Sequence, residues 1–203
     1  MKQSARFLHG EGDAWLVRNK KKLPPNHDPV LELIEKTGLQ PKKVLEIGCA
    51  NGWRLNLLRD KYNCTCGGID PSTKTIAEID RLMITGTADN LPWGDASFDL
   101  VIYGFCLYLC DREDLFKIVA EGDRVLEDGG HIAIHDFIDG AYARKYEHNE
   151  NILSYHLDYA SLWLANPAYQ AIASREEDTP FTQDPISVEL IKKNMTAAYR
   201  IVP

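Results

Sequence analysis

An acid and several small residues lie close together in one short stretch and could bind a charged ligand. Glu46 is followed by Gly48, Ala50 and Gly52 at every second position. The two glycines allow backbone shapes that a side chain would hinder, so we expect a tight turn that approaches a ligand closely. Glu46 would repel a pyrophosphate and attract a cation. The stretch therefore favours a cationic ligand, and its glycine spacing differs from the G-x-G-x-x-G dinucleotide pattern.

A strand and a helix are predicted to position this turn. Residues 42–47 include a short apolar run flanked by turns, which predicts a buried strand. After the turn, Leu55, Leu58 and Tyr62 recur at helical spacing. The helix begins near Gly52, and a helix N-terminus carries a partial positive charge.

Strands and helices are predicted to alternate along the rest of the first two thirds of the chain. Further strands are predicted over 64–70, 84–88, 98–105 and 131–137, and further helices over 28–38, 72–83 and 111–126. Asp28 and Asp111 are the predicted N-caps, with Gly38 and the pair Gly129-Gly130 as stops. This alternation predicts an α/β fold with a mostly parallel sheet, helices on both faces and a ligand site at the carboxyl ends of the strands.

The last third of the chain differs in pattern. Residues 138–168 are rich in aromatic residues and histidine, and we expect them to cover the sheet. Two apolar runs within 169–203, separated by a polar loop, predict an antiparallel hairpin at one sheet edge.

Length, charge and composition limit the classes of function. The chain has 203 residues, 44% of them hydrophobic, and a formal charge of -7. Such a length suits a single domain, 1–203, and an acidic body disfavours nucleic acid as a partner. No apolar run approaches the ~20 residues of a membrane span, and the N-terminus lacks a secretory pattern, so a cytoplasmic location is predicted. The five cysteines do not have zinc-site spacings, so we expect buried reduced thiols and no metal.

The acid–glycine turn resembles a known family motif. The pattern Glu46-x-Gly48-x-Ala50-x-Gly52 is similar to the E/D-x-G-x-G-x-G loop of class I S-adenosylmethionine-dependent methyltransferases, with Ala50 in place of the middle glycine. The segments GGID, TADNLPWGDASFDLVIYG and EGDRVLEDGGHIAI resemble later family motifs in the same order. Together these motifs span about residues 40–137, and the resemblance implies the Rossmann-like fold of that family with a seven-stranded sheet.

The resemblance also implies a cofactor, S-adenosyl-L-methionine, and the residues that bind it. Asp70, at the end of the second strand, corresponds to the acid that binds the ribose hydroxyls in the family. Thr87 occupies a position where the family often has aspartate, so Ala88 and Asp89 are expected to contact the adenine. The implied cofactor-binding core, 40–137, contributes Glu46, Gly48, Cys49, Ala50, Gly52, Asp70, Pro71, Ala88, Asp89, Asn90 and Tyr103.

A second, narrower resemblance lies near the N-terminus. Gly12-Asp13-Ala14-Trp15 with Arg18-Asn19 is similar to the opening of methylases associated with pseudaminic acid biosynthesis. It implies that residues 1–27 cover the cofactor, with Trp15 packing on it and Arg18 or Asn19 placing a carboxylate. It also implies a sugar or nucleotide-sugar acceptor. The alternative interpretation is a helix cap with a core tryptophan.

Methyl transfer from a sulfonium depends mainly on orientation, with a base where the nucleophile must lose a proton. His135 and Asp136 end the fifth predicted strand, so His135 is the candidate base and Asp136 its partner. Tyr108 is a third candidate after the fourth strand. The alternatives are a histidine bonded to backbone and a tyrosine in the pocket wall.

The sequence therefore predicts a methyltransferase acting on a small molecule, as a monomer or homodimer, with residues 138–168 as a substrate lid. Two rival functions remain compatible with the sequence. The first is a non-catalytic regulatory or scaffold protein that binds S-adenosylmethionine. The second, less favoured because of Glu46 and the glycine spacing, is an NAD-dependent oxidoreductase.

Overall fold

The structure is a computed structural model that describes residues 1–74, 83–138, 140–177 and 184–195. The helix predicted over 72–83 lies mostly outside these residues, so it stays a prediction.

Seven strands form one sheet in the order β3-β2-β1-β4-β5-β9-β8. Their bounds are β1 (Lys43–Ile47), β2 (Thr65–Asp70), β3 (Met83–Thr85), β4 (Phe98–Gly104), β5 (Leu126–Phe137), β8 (Tyr169–Glu177) and β9 (Ile186–Lys193). The first five strands are parallel, and β9 runs antiparallel between β5 and β8. The predicted α/β class, the mostly parallel sheet and the C-terminal hairpin are confirmed.

Helices cover both faces of the sheet. One face, called the α4 face here, packs against α3 (Pro29–Thr37) and α4 (Trp53–Tyr62). The other, called the α5 face, packs against α5 (Leu115–Val125) and α6 (Ser161–Leu164). Helix α3 has the predicted ends, since the Asp28 carboxylate accepts a hydrogen bond from Val30 N and Gly38 has φ +70°.

Successive residues of each strand point to opposite faces. In β1, Leu45 and Ile47 join the core of the α5 face, whereas Val44 joins the core of the α4 face. In β4, Tyr103 packs on the α5 face and Ile102 on the α4 face. Both cores consist of buried apolar side chains. Because these strands are buried on both faces, their sequences are nearly continuous apolar runs.

Two local predictions are wrong. Helix α5 ends at Val125, and Leu126 already begins β5, ahead of the glycine pair expected to stop the helix. Asp111 does not cap this helix; its carboxylate instead accepts hydrogen bonds from Gln3 N and Ser4 N, at 2.8 and 2.9 Å. Asp111 instead caps the distant N-terminal helix, because the first N–H groups of a helix have no partner within it.

The segment 138–168 contains a separate antiparallel pair that the sequence did not predict. Strand β6 (Ala141–Tyr146) pairs with β7 (Asn149–Leu157). Five of the six residues of β6 are exposed, so the strand carries no alternation of apolar and polar residues that would mark it.

The N-terminal segment folds over the carboxyl end of the sheet. It contains α1 (Gln3–Arg6), a kinked turn (Phe7–Glu11) and α2 (Gly12–Asn19). The Asp111 carboxylate holds its first turn. At the other end, the Asp13 carboxylate accepts hydrogen bonds from Ser72 Oγ at 2.7 Å and Thr73 N at 2.8 Å. The segment is therefore fixed to the loop after β2 as well as to the loop before α5.

Candidate functional site

A cavity of about 840 Å³ opens at the carboxyl ends of β1, β2 and β4, beneath the N-terminal segment. Six residues at the ends of these strands line it: Ile47, Gly48, Ile69, Asp70, Gly104 and Phe105. This edge of the sheet is where parallel sheets bind ligands.

The roof of the cavity comes from the N-terminal segment. Ser4, Phe7, Gly12 and Trp15 line the cavity from above. Gly12 packs so closely on the loop after β2 that a Cβ there would lie 2.9 Å from Ser72 N. A larger residue would lift α2 away from the sheet, so this glycine sets the height of the roof.

Asp70 is one of the acids that line the cavity. Its carboxylate accepts hydrogen bonds from Ala50 N at 3.0 Å and from Ser72 N at 2.8 Å. Burial raises the pKa of Asp70 to about 6, an effect that the two N–H donors oppose. A fixed carboxylate at a cavity wall can accept hydrogen bonds from ligand hydroxyl groups.

The glycine turn contributes mainly through Gly48. Gly48 has φ +76°, and a Cβ on it would lie 2.6 Å from Cys106 Cβ. The turn therefore needs glycine here both for its backbone shape and for its approach to the loop after β4. Ala50 (φ +49°) and Gly52 (φ +71°) shape the turn, but neither lines the cavity.

Cys49 was predicted to contact the ligand, and this contact stays a prediction. The residue is 1% exposed and belongs to the core of the α4 face. Its side chain lies against β2, since a Cβ on Gly68 would be 2.8 Å from Cys49 Sγ. Cys49 faces away because the turn exposes only the preceding glycine to the cavity.

Glu46 is also absent from the cavity lining, and its contact with a cationic ligand stays a prediction. Alternation along β1 turns its side chain to the α4 face, where the carboxylate pairs with the Arg54 guanidinium. Arg54 also pairs with Asp28 at 2.9 Å, and all three side chains are buried. Gly104 separates Glu46 from the cavity, since a Cβ on Gly104 would lie 2.6 Å from Glu46 Oε1.

The loop after β3 supplies one end of the cavity. Thr87, Ala88 and Asp89 line it, and Pro71 lines it from the neighbouring loop. Thr87 Oγ1 donates a hydrogen bond to Asp89 at 2.7 Å, and Lys117 pairs with Asp89 at 3.1 Å. The predicted Asn90 does not line the cavity.

The two tyrosines predicted for the site lie in the core instead. Tyr103 is fully buried on the α5 face, where its hydroxyl donates a hydrogen bond to Ile118 O at 3.2 Å. Tyr108 is buried behind the cavity wall, with its ring 5.0 Å from that of Phe105 and 5.2 Å from that of Phe137. Neither tyrosine lines the cavity, and both roles stay predictions.

His135 lies on the α4 face and does not line the cavity. Its Nε2 is 3.3 Å from Glu177 Oε2, and its ring packs 5.3 Å from the ring of Phe105. Burial lowers the pKa of His135. Phe105 lies between the imidazole and the cavity, and the role of His135 as a base stays a prediction.

Asp136 does not line the cavity either, yet it organises the wall. Its Oδ2 accepts hydrogen bonds from Leu107 N at 2.8 Å and Tyr108 N at 3.4 Å, and its Oδ1 accepts one from Phe137 N. Burial raises the pKa of Asp136 to about 7. The residue positions the loop after β4, rather than the imidazole with which it was paired in the sequence-based prediction.

Of the three candidates near the N-terminus, one lines the cavity and two do not. Trp15 lines the cavity, as expected of a packing residue. Arg18 instead pairs with Glu11 at 2.6 Å and donates a hydrogen bond to Tyr146 Oη at 3.2 Å. Asn19 donates to Trp15 O at 2.9 Å and so caps its own helix. Neither residue lines the cavity, and their contact with a ligand carboxylate stays a prediction.

Sequence reasoning missed much of the wall that follows β4. Phe105, Leu109 and Asp111 line the cavity, together with the thiols of Cys106 and Cys110. Their position directly after a strong strand was a usable signal, because ligand-binding loops follow strand ends. None of the aromatic residues expected to form a lid lines the cavity: Tyr142, Tyr146, His148, Tyr155, His156, Tyr159 and Trp163.

Neither a metal site nor a membrane span occurs in the described residues. Within them, no group of three or more histidine, cysteine or acidic side chains has an arrangement that could hold a metal ion. No helix in this part of the chain has the length and apolar character needed to cross a membrane.

The strand order, the antiparallel β9 and a cavity beside the glycine turn together define the class I methyltransferase fold. Residues 45–134 match the family model described as a methyltransferase domain. These residues therefore form a class I methyltransferase domain, which confirms the family predicted from the sequence motifs.

Relatives with similar sequences carry the same domain. A methyltransferase of Synechocystis with no assigned substrate is 30% identical over 109 residues, which is 51% of each chain. Malonyl-[acyl-carrier protein] O-methyltransferase of Geobacter sulfurreducens is 29% identical over 122 residues, covering 56% of this chain and 45% of that protein. The chain thus spans about half the length of the curated relatives that it matches.

Solved structures agree in fold. The 1,6-didemethyltoxoflavin-N1-methyltransferase of Burkholderia thailandensis, solved with 1,6-didemethyltoxoflavin and S-adenosylhomocysteine, superposes with a TM-score of 0.74 at 16% identity. The alignment covers 94% of this chain and 87% of that one. A putative sarcosine dimethylglycine methyltransferase from Galdieria sulphuraria gives a TM-score of 0.64 at 15% identity, covering 81% of this chain and 84% of that one.

Proposed function

We propose that this chain is an S-adenosylmethionine-dependent methyltransferase that acts on a small molecule. The observation that carries the proposal is the cavity beside Gly48, with a half-buried carboxylate, Asp70, fixed in its wall one strand over. The family model and the relatives support the same activity. We include in the proposal the cytoplasmic location and the small-molecule partner predicted from the sequence.

The residues present suit this cofactor. Asp70 would accept hydrogen bonds from the ribose hydroxyls, and the backbone at Ala88 and Asp89 would contact the adenine. Gly48 lets the main chain approach the ligand, and Trp15 covers it. When bound, S-adenosylmethionine supplies a methyl group that is already activated for transfer.

The protein's own contribution is orientation and the exclusion of water. The roof of Phe7 and Trp15 closes the cavity from above, while the loop after β4 forms the wall opposite Asp70. Asp136 holds that loop by accepting hydrogen bonds from two of its N–H groups. Fixed walls of this kind lower the entropy cost of aligning a nucleophile with a methyl group.

Two observations bear on the acceptor. The N-terminal motif favours a sugar or nucleotide sugar, as in the methylases that it resembles. The Burkholderia structure was solved with 1,6-didemethyltoxoflavin, a small molecule. Both observations support a small-molecule acceptor. The charged side chains that line the cavity would favour some small acceptors over others.

Titration calorimetry with the full chain tests the proposal. We expect saturable binding of S-adenosylmethionine and S-adenosylhomocysteine, with no binding of NAD. Incubation with S-adenosylmethionine and a metabolite extract should then release S-adenosylhomocysteine. Binding without release would favour the regulatory or scaffold protein, and binding of NAD alone would favour the oxidoreductase.

A further inference from the structure

We infer that Arg112 is a positioning residue for the proposed reaction. Its guanidinium holds the loop after β4, residues 105–111, in the shape that lines the cavity, and it links this loop to the packing of residues 138–168. Arg112 itself does not line the cavity. The inference rests on the proposed methyltransferase function for what the loop contacts, whereas the hold on the loop is a property of the folded chain.

The loop after β4 forms one wall of the cavity and has little regular structure of its own. Five of its seven residues line the cavity: Phe105, which supplies the aromatic wall, and Cys106, Leu109, Cys110 and Asp111. Its helical part is a single 3-10 turn, Leu107–Leu109. Because the hydrogen bonds of such a short turn have poor geometry, the loop depends on side chains outside it.

Arg112 supports the loop at its carbonyl groups. Its Nη2 donates hydrogen bonds to Leu107 O at 2.7 Å and to Cys110 O at 2.8 Å, and its Nε donates to Cys110 O at 3.3 Å. Asp136 accepts hydrogen bonds from Leu107 N and Tyr108 N on the same turn. A carboxylate thus holds the N–H groups of the turn, and a guanidinium, whose planar donors can reach two carbonyls at once, holds its C=O groups.

The guanidinium also contacts two tyrosines of residues 138–168. Its Nη1 donates a hydrogen bond to Tyr159 Oη at 3.1 Å, and its central carbon lies 4.4 Å from the ring centroid of Tyr155. A cation over an aromatic face is a favourable contact. Tyr159 is buried in the core of the α5 face, and its hydroxyl donates to Tyr155 O at 2.9 Å. These tyrosines do not line the cavity, so they reach its wall through Arg112.

A general role in stability is the alternative interpretation, and the free cysteines distinguish it from positioning. Cys106 and Cys110, called the loop thiols here, line the cavity. Cys64 and Cys66, called the reference thiols, lie in the core of the α4 face. A general loss of stability would make all four react faster, whereas release of the loop would expose the loop thiols alone.

The charge of Arg112 makes this comparison directional. Burial raises the pKa of Cys110 to about 12, and the nearby Arg112 cation opposes that rise. Loss of the cation alone would therefore raise the pKa further and slow alkylation, because the thiolate is the reactive form. Faster alkylation in a variant that lacks this cation has to come from exposure of the loop.

Alkylation of the full chain by iodoacetamide, followed by peptide mass spectrometry, tests the inference. We expect Arg112→Gln to speed alkylation of the loop thiols at least about 10-fold relative to the reference thiols. Arg112→Lys keeps the charge but lacks the planar fork, so its rate should lie between those of Arg112→Gln and the parent. The control is Arg175→Gln, which removes an arginine that pairs with Glu32 and does not line the cavity, and which should change neither rate.

A second variant tests the link to residues 138–168. Tyr159→Phe removes the hydroxyl that accepts the hydrogen bond from Arg112 and keeps the ring in the core, so we expect a smaller rise, about 3-fold, for the loop thiols. No rise in this variant would overturn the link. In Arg112→Gln, equal acceleration of all four thiols, or no acceleration, would overturn the positioning role.

Calorimetry with S-adenosylhomocysteine separates the inference from the proposed function. In Arg112→Gln the Kd should rise at least about 5-fold, because a displaced wall no longer fits the ligand, and Arg175→Gln should match the parent. Unchanged affinity in Arg112→Gln would overturn the positioning role, even with faster alkylation. Failure of the unmodified chain to bind would refute the proposed function instead, and alkylation would still decide whether Arg112 holds the loop.

Discussion

Glu46 and Asp70 are two acids near the ends of neighbouring parallel strands, yet they have opposite surroundings. Asp70 lines the cavity and is held by two N–H donors. Glu46 is buried on the α4 face and pairs with Arg54. The difference follows from side-chain direction, which alternates along a strand, and it separates an acid available to a ligand from one that serves the fold.

The loop after β4 and the end of β5 repeat this contrast. Phe105 and Cys106 line the cavity, whereas His135 lies on the α4 face and Asp136 contacts the backbone of the loop. His135 and Asp136 thus lie behind the cavity wall, although cysteines and other acids line it. The cavity is built to orient a ligand, and its titratable groups mostly hold the walls.

The largest expected effect is on the α4 face. Arg54→Leu leaves Glu46 and Asp28 buried without their cation, so we expect a loss of about 3–5 kcal/mol in the free energy of unfolding. Arg59→Leu, in the exposed part of the same helix, is the control and should cost less than about 1 kcal/mol. Urea unfolding followed by circular dichroism measures both; similar small losses would show that the buried ion pairs do not support the fold.

The next effect concerns pH. In the folded protein Asp136 holds its proton up to about pH 7, whereas an aspartate exposed to water in the unfolded chain has its ordinary pKa, 3.8. The folded state therefore binds more protons in this window, and the free energy of unfolding falls as pH rises from about 4 to 7. In Asp136→Asn, the free energy of unfolding should decrease by about 2–4 kcal/mol less over the same pH range. Unfolding curves at about pH 4.5, 6 and 7.5 check this, and parallel profiles for both proteins would contradict it.

These effects also mark how far the sequence could predict the site. The strands, the glycine turn and Asp70 were predictable because apolar runs, glycines and an acid at a strand end have local causes. The direction of Glu46 was not, because a parallel sheet is apolar on both faces and the alternation does not mark the face with the cavity. Asp111 was misassigned because its partners, Gln3 and Ser4, are more than a hundred residues away.

A smaller effect is expected at the aromatic wall. Phe105→Gly removes the ring while supplying a residue that tolerates φ +57°, so turnover should fall about 10-fold with cofactor affinity changed less than about 3-fold. Ala96→Gly is the matched control, since Ala96 also has positive φ, +50°, but does not line the cavity. Turnover assays with an identified acceptor compare the two, and unchanged turnover in Phe105→Gly would show that the ring does not position the acceptor.

The smallest effect is expected for the histidine. His135→Gln should change turnover by less than about 3-fold, because the imidazole lies behind Phe105 and a general base typically contributes about 100-fold or more. The pH–rate profile of the variant should match that of the parent. A loss of about 100-fold, or a missing limb of the profile, would restore His135 as a base.

The comparison of the two acids gives the most direct test of the cofactor site. Calorimetry with S-adenosylmethionine is performed on Asp70→Asn and Glu46→Gln, with urea unfolding of each as a measure of folding. We predict that Asp70→Asn raises the Kd by about 5- to 100-fold, the loss of hydrogen bonds to a charged group, while Glu46→Gln raises it by less than about 3-fold and lowers stability. A larger loss of affinity in Glu46→Gln than in Asp70→Asn would contradict the assignment of the two carboxylates.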